Sequence, residues 1–200
     1  GSLGSLLVAP LTPNQVTYVC YSDIIISSDT VELLRDSPGD VVLVADRAWR
    51  NRYENRTLED LAAAEKLSIS LGIVRDLDPG MPVDAADAEY IGLLKLSPRA
   101  VEFLISLRGK GQSDLALHGI PRLIAEFNAI GLEVVPLEIE GGWAELNAPQ
   151  DLARFVLGTK ADTLERLRPL VKNGVVGEQV KFTVGQWQSD RRQILAEVQD

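Results

Sequence analysis

Four short segments of the sequence carry side chains that could do chemistry. Asp23 ends the triplet Tyr21-Ser22-Asp23 within an apolar run, and Glu89 opens another such run. Glu145 and Asn147 stand two residues apart after Trp143, and arginines alternate with aromatic residues over 47–56. Carboxylate and amide oxygens bind Mg²⁺ together with substrate phosphates, and arginine matches phosphate oxygens in pairs. These residue types are typical of a site for a phosphate-bearing ligand.

Asp23 lies within VTYVCYSDIII, residues 16–26, which is β-branched and aromatic and predicts a buried strand. Ligands gather at the carboxyl ends of strands in open α/β sheets, so this carboxylate is a candidate Mg²⁺ ligand. The alternative is that Asp23 caps the following turn. Glu145 and Asn147, on one side at strand spacing, could complete the metal site, or Asn147 could cap a helix that starts at Ala148-Pro149.

The arginine-aromatic block allows two interpretations. Arg47, Arg50, Arg52 and Arg56 interleave with Trp49 and Tyr53, so they could bind phosphates and stack on rings. They could equally form a solvated helical face tied by pairs such as Arg50 with Glu54. Glu89 is similarly open: Gly92 nearby allows close approach of a ligand to the backbone, but a plain strand start explains the same residues.

The elements that must position these residues alternate between strands and helices. Continuous apolar runs at 41–45, 89–96 and 132–139 predict strands buried on both faces, and 66–75 predicts a strand pair. Ser97-Pro98 is a strong helix start. We therefore expect an α/β fold with a Rossmann-like, mostly parallel sheet and helices on both faces. Residues 1–15 are expected to be irregular.

The chain divides by charge. Its net charge is −9, of which residues 1–157 carry −10 and residues 158–200 carry +1. We expect an α/β domain over 1–157 and a helical appendage or linker over 158–200, where Thr159 and Thr183 are helix-capping candidates.

Composition excludes several classes of function. The acidic balance argues against a nonspecific grip on nucleic acid or an anionic membrane, and no apolar run reaches the roughly 20 residues of a membrane span. One cysteine and one histidine exclude an intrachain disulfide, a cysteine-built zinc site and a histidine-rich metal site. The start lacks the basic region of a signal peptide, so we expect a cytoplasmic protein.

Four stretches together resemble a nucleotidyltransferase family, over residues 16–157. They are CYSDIIISSDTVELL, GDVVLVADRAWRNRYENRT, AEYIGLLKLSPRAVEFL and GLEVVPLEIEGGWAELNAPQDLARF. The likeness is to phosphocholine cytidylyltransferases and to the nucleotidyltransferase domains found beside phosphoenolpyruvate mutase. It implies a Rossmann-like fold that moves a nucleotidyl group, cytidylyl by this likeness, from a nucleoside triphosphate to a phosphorylated or phosphonate small molecule.

The resemblance also implies roles for individual residues. Asp23 and Asn147 stand where the family holds Mg²⁺, although Asn147 lacks the family's negative charge and Glu145 would have to compensate. Glu89 falls where related enzymes bind the acceptor, and Tyr21, Arg52 and Arg56 are expected to contact substrate.

One family element does not occur in the sequence. The family opens with a strand and a G-x-G-x-R loop that grips the triphosphate, whereas GSLGSLL precedes the strand here. We therefore expect the nucleotide-binding half to be absent, either because it was removed or because it was never present, and the present chain to be weakly active or inactive. The opening Gly1-Ser2 is typical of a cloning remnant, so we expect the natural protein to extend upstream. The tail resembles the segment that joins such a domain to an ATP-grasp module of the phosphoenolpyruvate synthase type. A noncatalytic docking domain of that larger enzyme is the alternative function.

Overall fold

The computed structural model describes residues 2–53, 57–108, 112–146, 151–152, 156, 158, 160–182 and 184–199. Two compact units divide the chain, Gly1–Leu146 and Asn147–Asp200. Asn147 and Arg56 lie outside the described residues. The division that we predict at residue 158 stays a prediction.

The larger unit is built on a six-stranded sheet and a two-stranded ribbon. The sheet has the order β5-β4-β6-β3-β7, with β1 paired to β6 beside β4, and the ribbon joins β2 to β8. The strands are β1 Thr17–Cys20, β2 Ile24–Ile26, β3 Val41–Asp46, β4 Lys66–Ser70, β5 Ile73–Leu77, β6 Ala88–Leu96, β7 Val134–Ile139 and β8 Trp143–Glu145.

Helices cover both faces of this sheet. They are α1 Ser2–Val8, α2 Ser28–Asp36, α3 Leu58–Ala63, α4 Pro98–Leu107 and α5 Gln112–Ala129, with short 3₁₀ helices at Trp49–Tyr53 and Val83–Ala85. Apolar residues of α1, α4 and α5 form one core, while Leu34 of α2 packs with Trp143 and the other sheet face. The second unit contains α6 Lys160–Leu167, a 3₁₀ helix Arg168–Leu170 and α7 Val184–Gln199.

The predicted α/β class, with helices on both faces, is confirmed, but the strand directions need a correction. β3 and β7 are parallel, whereas β6 runs antiparallel to β1, β3 and β4, and β4 runs antiparallel to β5. All nine residues of β6 are buried. A strand covered on both faces has a continuous apolar sequence whichever way its neighbours run, so this pattern predicts burial and not direction.

The start of the chain also differs from expectation. Residues 2–8 are helical, and Leu3, Leu6 and Leu7 are buried at the three- and four-residue spacing of one helix face. The predicted strand at 16–26 is two strands in different sheets, with Tyr21-Ser22-Asp23 between them. A backbone hydrogen bond from the Tyr21 N–H to the Gly92 carbonyl, 2.8 Å, holds this junction against β6.

Other helix signals are confirmed. The Ser97 hydroxyl accepts a hydrogen bond from the Ala100 N–H at the start of α4, with Pro98 in the first turn. Within α5, Gly119 has non-helical angles just before Pro121, so a second helical segment begins there, as the proline predicts.

Gly92 is the backbone position on which the junction depends. Its φ is +82°, and a Cβ atom placed there would lie 2.4 Å from Cδ2 of the Tyr21 ring. Glycine permits both the left-handed conformation and the close packing of the ring on the strand.

We predict that Gly92→Ala lowers the free energy of unfolding by about 2–4 kcal/mol, since a left-handed alanine costs about 1–2 kcal/mol and overpacking costs a similar amount. Gly72→Ala is the matched control, because Gly72 has φ +73° and open space around it. Urea unfolding of both variants measures the difference. If both variants lost the same free energy of unfolding, the steric overlap with the Tyr21 ring would contribute nothing to the effect of Gly92→Ala.

Candidate active site

A cavity of about 300 Å³ collects acidic and aromatic side chains from separate elements. Its walls include Tyr21, Glu65, Glu89, Trp143 and Glu145. Tyr21 lies between β1 and β2, Glu65 precedes β4, Glu89 is on β6, and Glu145 ends β8. The structure therefore brings together three side chains singled out from sequence, Tyr21, Glu89 and Glu145, and adds Glu65.

Glu89 is the most deeply buried carboxylate of the cavity, with 3% of its surface exposed. Its Oε2 accepts a hydrogen bond from Nη1 of Arg52 at 2.9 Å, and its Oε1 accepts one from the Tyr53 hydroxyl at 2.5 Å. Burial raises the pKa of Glu89 to about 7, against the opposing effects of Arg52 and Tyr53. Its protonation is therefore poised near neutral pH.

Glu65 and Tyr21 form a second polar pair in the same wall. The Tyr21 hydroxyl lies 3.0 and 3.2 Å from the two carboxylate oxygens of Glu65 and donates to them. Burial, opposed by the Tyr21 hydrogen bond and aided by the nearby charge of Glu145, raises the pKa of Glu65 to about 7. Burial and the Glu65 charge also raise the pKa of Tyr21. Sequence reasoning missed Glu65, which no motif marks.

In the arginine-aromatic block, the described arginines contact other parts of the protein. Trp49 is fully buried, and Arg50 donates to the carbonyl oxygens of Val83 and Ala86 at 2.6 and 2.8 Å. Arg52 pairs with Glu89, and its guanidinium lies 3.6 Å from the centre of the Trp143 ring. In the described part of the block, Arg50 and Arg52 thus bind the protein itself, and Arg47 pairs with Glu138 at the surface.

Trp143 is held by a carboxylate that the sequence did not single out as functional. Asp46 is fully buried, and its Oδ2 accepts a hydrogen bond from Nε1 of Trp143 at 2.8 Å. Its Oδ1 accepts from the backbone N–H groups of Ala48 and Gly141, both at 2.9 Å. The signal in the sequence was Asp46 itself, the acidic residue that closes the apolar run of β3.

Asp23 lies in a wider groove next to the cavity. The groove encloses about 770 Å³ and is lined by Asp23, Ser22, Tyr21, Glu65 and Glu145 together with residues of α1 and β1. The Asp23 backbone carbonyl accepts a 2.7 Å hydrogen bond from the Leu146 N–H. Its carboxylate is exposed and makes no hydrogen bond within the described part of the chain, and the cap of α2 is Ser27. The turn-capping interpretation of Asp23 therefore does not hold among these residues.

The donor set suits a hard cation only with help from a ligand. Among the described residues no three acidic, histidine or cysteine side chains come close enough to hold a metal ion. Asp23 and Glu145 offer two carboxylates beside the groove, and Mg²⁺ commonly takes one or two carboxylates, with phosphate oxygens completing its shell. The residues present thus fit Mg²⁺ carried on a phosphate.

Within the described ranges no helix is long and apolar enough to cross a membrane.

In sequence and in fold the chain resembles nucleotidyltransferases of the cytidylyltransferase kind, as the motifs predicted. It is 25% identical over 146 residues to the CTP:phosphoglutamine cytidylyltransferase of Campylobacter jejuni subsp. jejuni serotype O:2, and the match covers 67% of this chain and 56% of that protein. The chain thus spans little more than half the length of this relative. No family model matches the chain.

Two solved structures share the fold. The inositol-1-phosphate CTP transferase of T. maritima superposes with a TM-score of 0.54 at 13% identity, covering 88% of this chain and 64% of that one. A Bacillus anthracis protein assigned as a glucose-1-phosphate thymidylyltransferase, in complex with a sucrose, gives 0.52 at 13% identity, covering 82% and 58%. None of these three names supports the alternative of a domain docked to an ATP-grasp module.

We predict that Glu65 makes the fold less stable as pH rises. Its pKa of about 7 in the folded chain lies above the ordinary value of 4.5, so the folded state keeps a proton that the unfolded state has lost between these pH values. This contribution to stability is present below pH 4.5 and disappears as pH rises to about 7. Glu65→Gln should remove up to a few kcal/mol of that dependence, since one pKa unit corresponds to about 1.4 kcal/mol.

Urea unfolding at pH 5, 6, 7 and 8 measures the effect. Glu32→Gln, on the exposed side of α2, is the control and should leave the pH dependence unchanged. A Glu65→Gln profile that parallels the unsubstituted protein would contradict the assignment.

Proposed function

We propose that this chain is a nucleotidyltransferase-like domain that transfers a nucleotidyl group, cytidylyl by resemblance, to a phosphorylated or phosphonate small molecule. The observation that carries the proposal is the pair of recesses that share Tyr21, Glu65 and Glu145 as a common wall. The wider groove presents the exposed Asp23 carboxylate, and the smaller cavity presents Glu89. Two ligands bound there would be neighbours.

The proposed reaction joins these neighbours. An oxygen of the acceptor phosphate or phosphonate attacks the α-phosphorus of the nucleoside triphosphate, forming the new P–O bond. The bond from the α-phosphorus to its β-bridging oxygen breaks, and pyrophosphate leaves with that oxygen. Positioning of the two anionic partners does most of the work in such transfers.

Each site residue receives a role in this proposal. Asp23 binds the cation that accompanies the triphosphate, with Glu145 and Asn147 assisting, and Mg²⁺ when bound offsets the negative charge of the phosphates. Glu89 binds the acceptor, with Tyr21 and Glu65 beside it. Arg52 holds Glu89 and is the first candidate for contact with a phosphate, and Arg56 is the second.

We predict that the exposed carboxylate of Asp23 governs binding of the nucleotide with its cation. Asp23→Asn should weaken Mg²⁺-dependent CTP binding by about tenfold or more, because even indirect supports of a metal site are worth 10–100-fold. Asp76→Asn, an exposed carboxylate on β5, should change it less than twofold. Calorimetry with and without Mg²⁺ measures both. Equal binding by the two variants would remove Asp23 from the site.

Turnover is measured separately from binding, as the release of pyrophosphate. Because the sequence contains no G-x-G-x-R loop and residues 1–157 are strongly acidic, we expect pyrophosphate release from CTP with phosphocholine or 2-aminoethylphosphonate to be weak or absent. Turnover of ~1 s⁻¹, within the ordinary enzymatic range, would show that residues other than a G-x-G-x-R loop bind the triphosphate.

We predict that Glu89→Gln weakens acceptor binding and leaves CTP binding unchanged. The substitution removes a buried charge that Arg52 and Tyr53 hold at the cavity, so acceptor affinity should fall by about tenfold, the usual cost of losing one charged hydrogen bond. Saturation-transfer NMR with 2-aminoethylphosphonate, phosphocholine and glucose-1-phosphate measures affinity directly. Glu102→Gln, on the exposed side of α4, is the control. Loss of CTP binding alone would place Glu89 on the nucleotide side instead.

A further inference from the structure

Asp46 joins three parts of the site through its two carboxylate oxygens. Trp143 Nε1 donates to one oxygen, while the backbone N–H groups of Ala48 and Gly141 donate to the other. Ala48 directly precedes the 3₁₀ helix that carries Arg52, and Gly141 begins the turn that leads to Trp143. The same carboxylate thus fixes both the segment that carries Arg52 and the indole on which Arg52 lies.

The next contacts lead from Trp143 to the cavity. The guanidinium of Arg52 lies 3.6 Å from the centre of the Trp143 ring, and its Nη1 is 2.9 Å from Oε2 of Glu89. The side chain of Arg52 is 15% exposed, so burial and the ring restrict where the guanidinium can go. Loss of the Trp143 orientation would release Arg52 from its position against Glu89.

Asp46 is also the direct cross-strand partner of Glu89 in the β3–β6 pairing. Like charges placed opposite each other in a sheet repel. Here each carboxylate has its own donors: three N–H groups serve Asp46, while Arg52 and Tyr53 serve Glu89. Two acids can therefore be buried side by side.

We propose that Asp46 is a positioning residue that orients Glu89 through Trp143 and Arg52. Its consequence for catalysis rests on the proposed function, in which Glu89 binds the acceptor. The charged and titratable groups that act on Glu89 come from several elements: Arg52 and Tyr53 from the 3₁₀ helix, Asp46 from β3, Lys66 from β4 and Glu145 from β8.

The pKa of Glu89 distinguishes a positioning role of Asp46 from a direct electrostatic effect of its charge, because the two predict shifts of the Glu89 pKa in opposite directions. Removing the Asp46 charge alone would lower the pKa of Glu89, since a like charge disfavours the carboxylate. Releasing Arg52 would raise it, since the guanidinium favours the carboxylate. In Asp46→Asn we expect the pKa of Glu89 to rise by half a unit or more, about a threefold change in proton affinity.

The experiment follows the Glu89 side-chain carboxyl by ¹³C NMR in the full chain. Trp143→Phe, which keeps a ring but lacks the indole N–H, should also raise the pKa, and Arg52→Gln gives the upper limit. Asp40→Asn, a substitution at the residue just before β3, is the control and should leave the pKa of Glu89 unchanged. A lower pKa in Asp46→Asn, or no shift in Trp143→Phe, would overturn the proposal. Trp143→Phe decides alone if Asp46→Asn does not fold.

Activity or binding gives a second, independent readout. If the proposed function holds, both variants should weaken acceptor affinity at least threefold while CTP affinity stays within twofold. If the NMR shifts appear without any acceptor binding, Asp46 positions Glu89 and the proposed function fails. If acceptor binding is normal in both variants and the pKa does not rise, the positioning role fails and the proposed function stands.

Discussion

Burial of negative charge is the constraint on which this site depends. Glu89 and Asp46 lie buried opposite each other on adjacent strands, and the partly buried Glu65 and Glu145 line the same cavity as Glu89. An ionised group buried without partners is very costly, so each must be hydrogen-bonded or keep its proton. Asp46 has three N–H donors, Glu89 has an arginine and a phenol, and Glu65 has a phenol and a raised pKa. The arginine-aromatic block supplies much of this compensation.

Strand β6 places these groups at one location. Both of its faces are covered, and its partners change along its length: β4 pairs near Glu89 and β1 pairs beyond Gly92. The left-handed backbone at Gly92 accepts the Tyr21 ring, so the chain leaves β1 across β6 and enters the ribbon with β8. One glycine thereby brings the Asp23 segment beside Glu145.

Much of the fold and part of the site could be predicted from the sequence. Apolar runs marked β3, β6 and β7, and Ser97-Pro98 marked α4, because burial and capping leave local signals. Strand direction could not be predicted, since a strand with both faces buried looks the same in either direction. The contact between Arg52 and Glu89 could not be predicted because the two residues are distant in sequence, and an arginine bound to a buried acid looks locally like one that binds a phosphate. Glu65 was missed because its burial comes entirely from tertiary packing.

The wall shared by the groove and the cavity has a thermodynamic consequence. Glu65 lines both recesses and its pKa is about 7, so its proton occupancy near neutral pH would respond to charge in either one. Linkage requires such an effect to be reciprocal: whatever the first occupant does to the affinity of the second, the second does to the first by the same factor. Two ligands that never touch would then be coupled through a single hydrogen ion, and the strength of their cooperativity would itself vary with pH around neutrality.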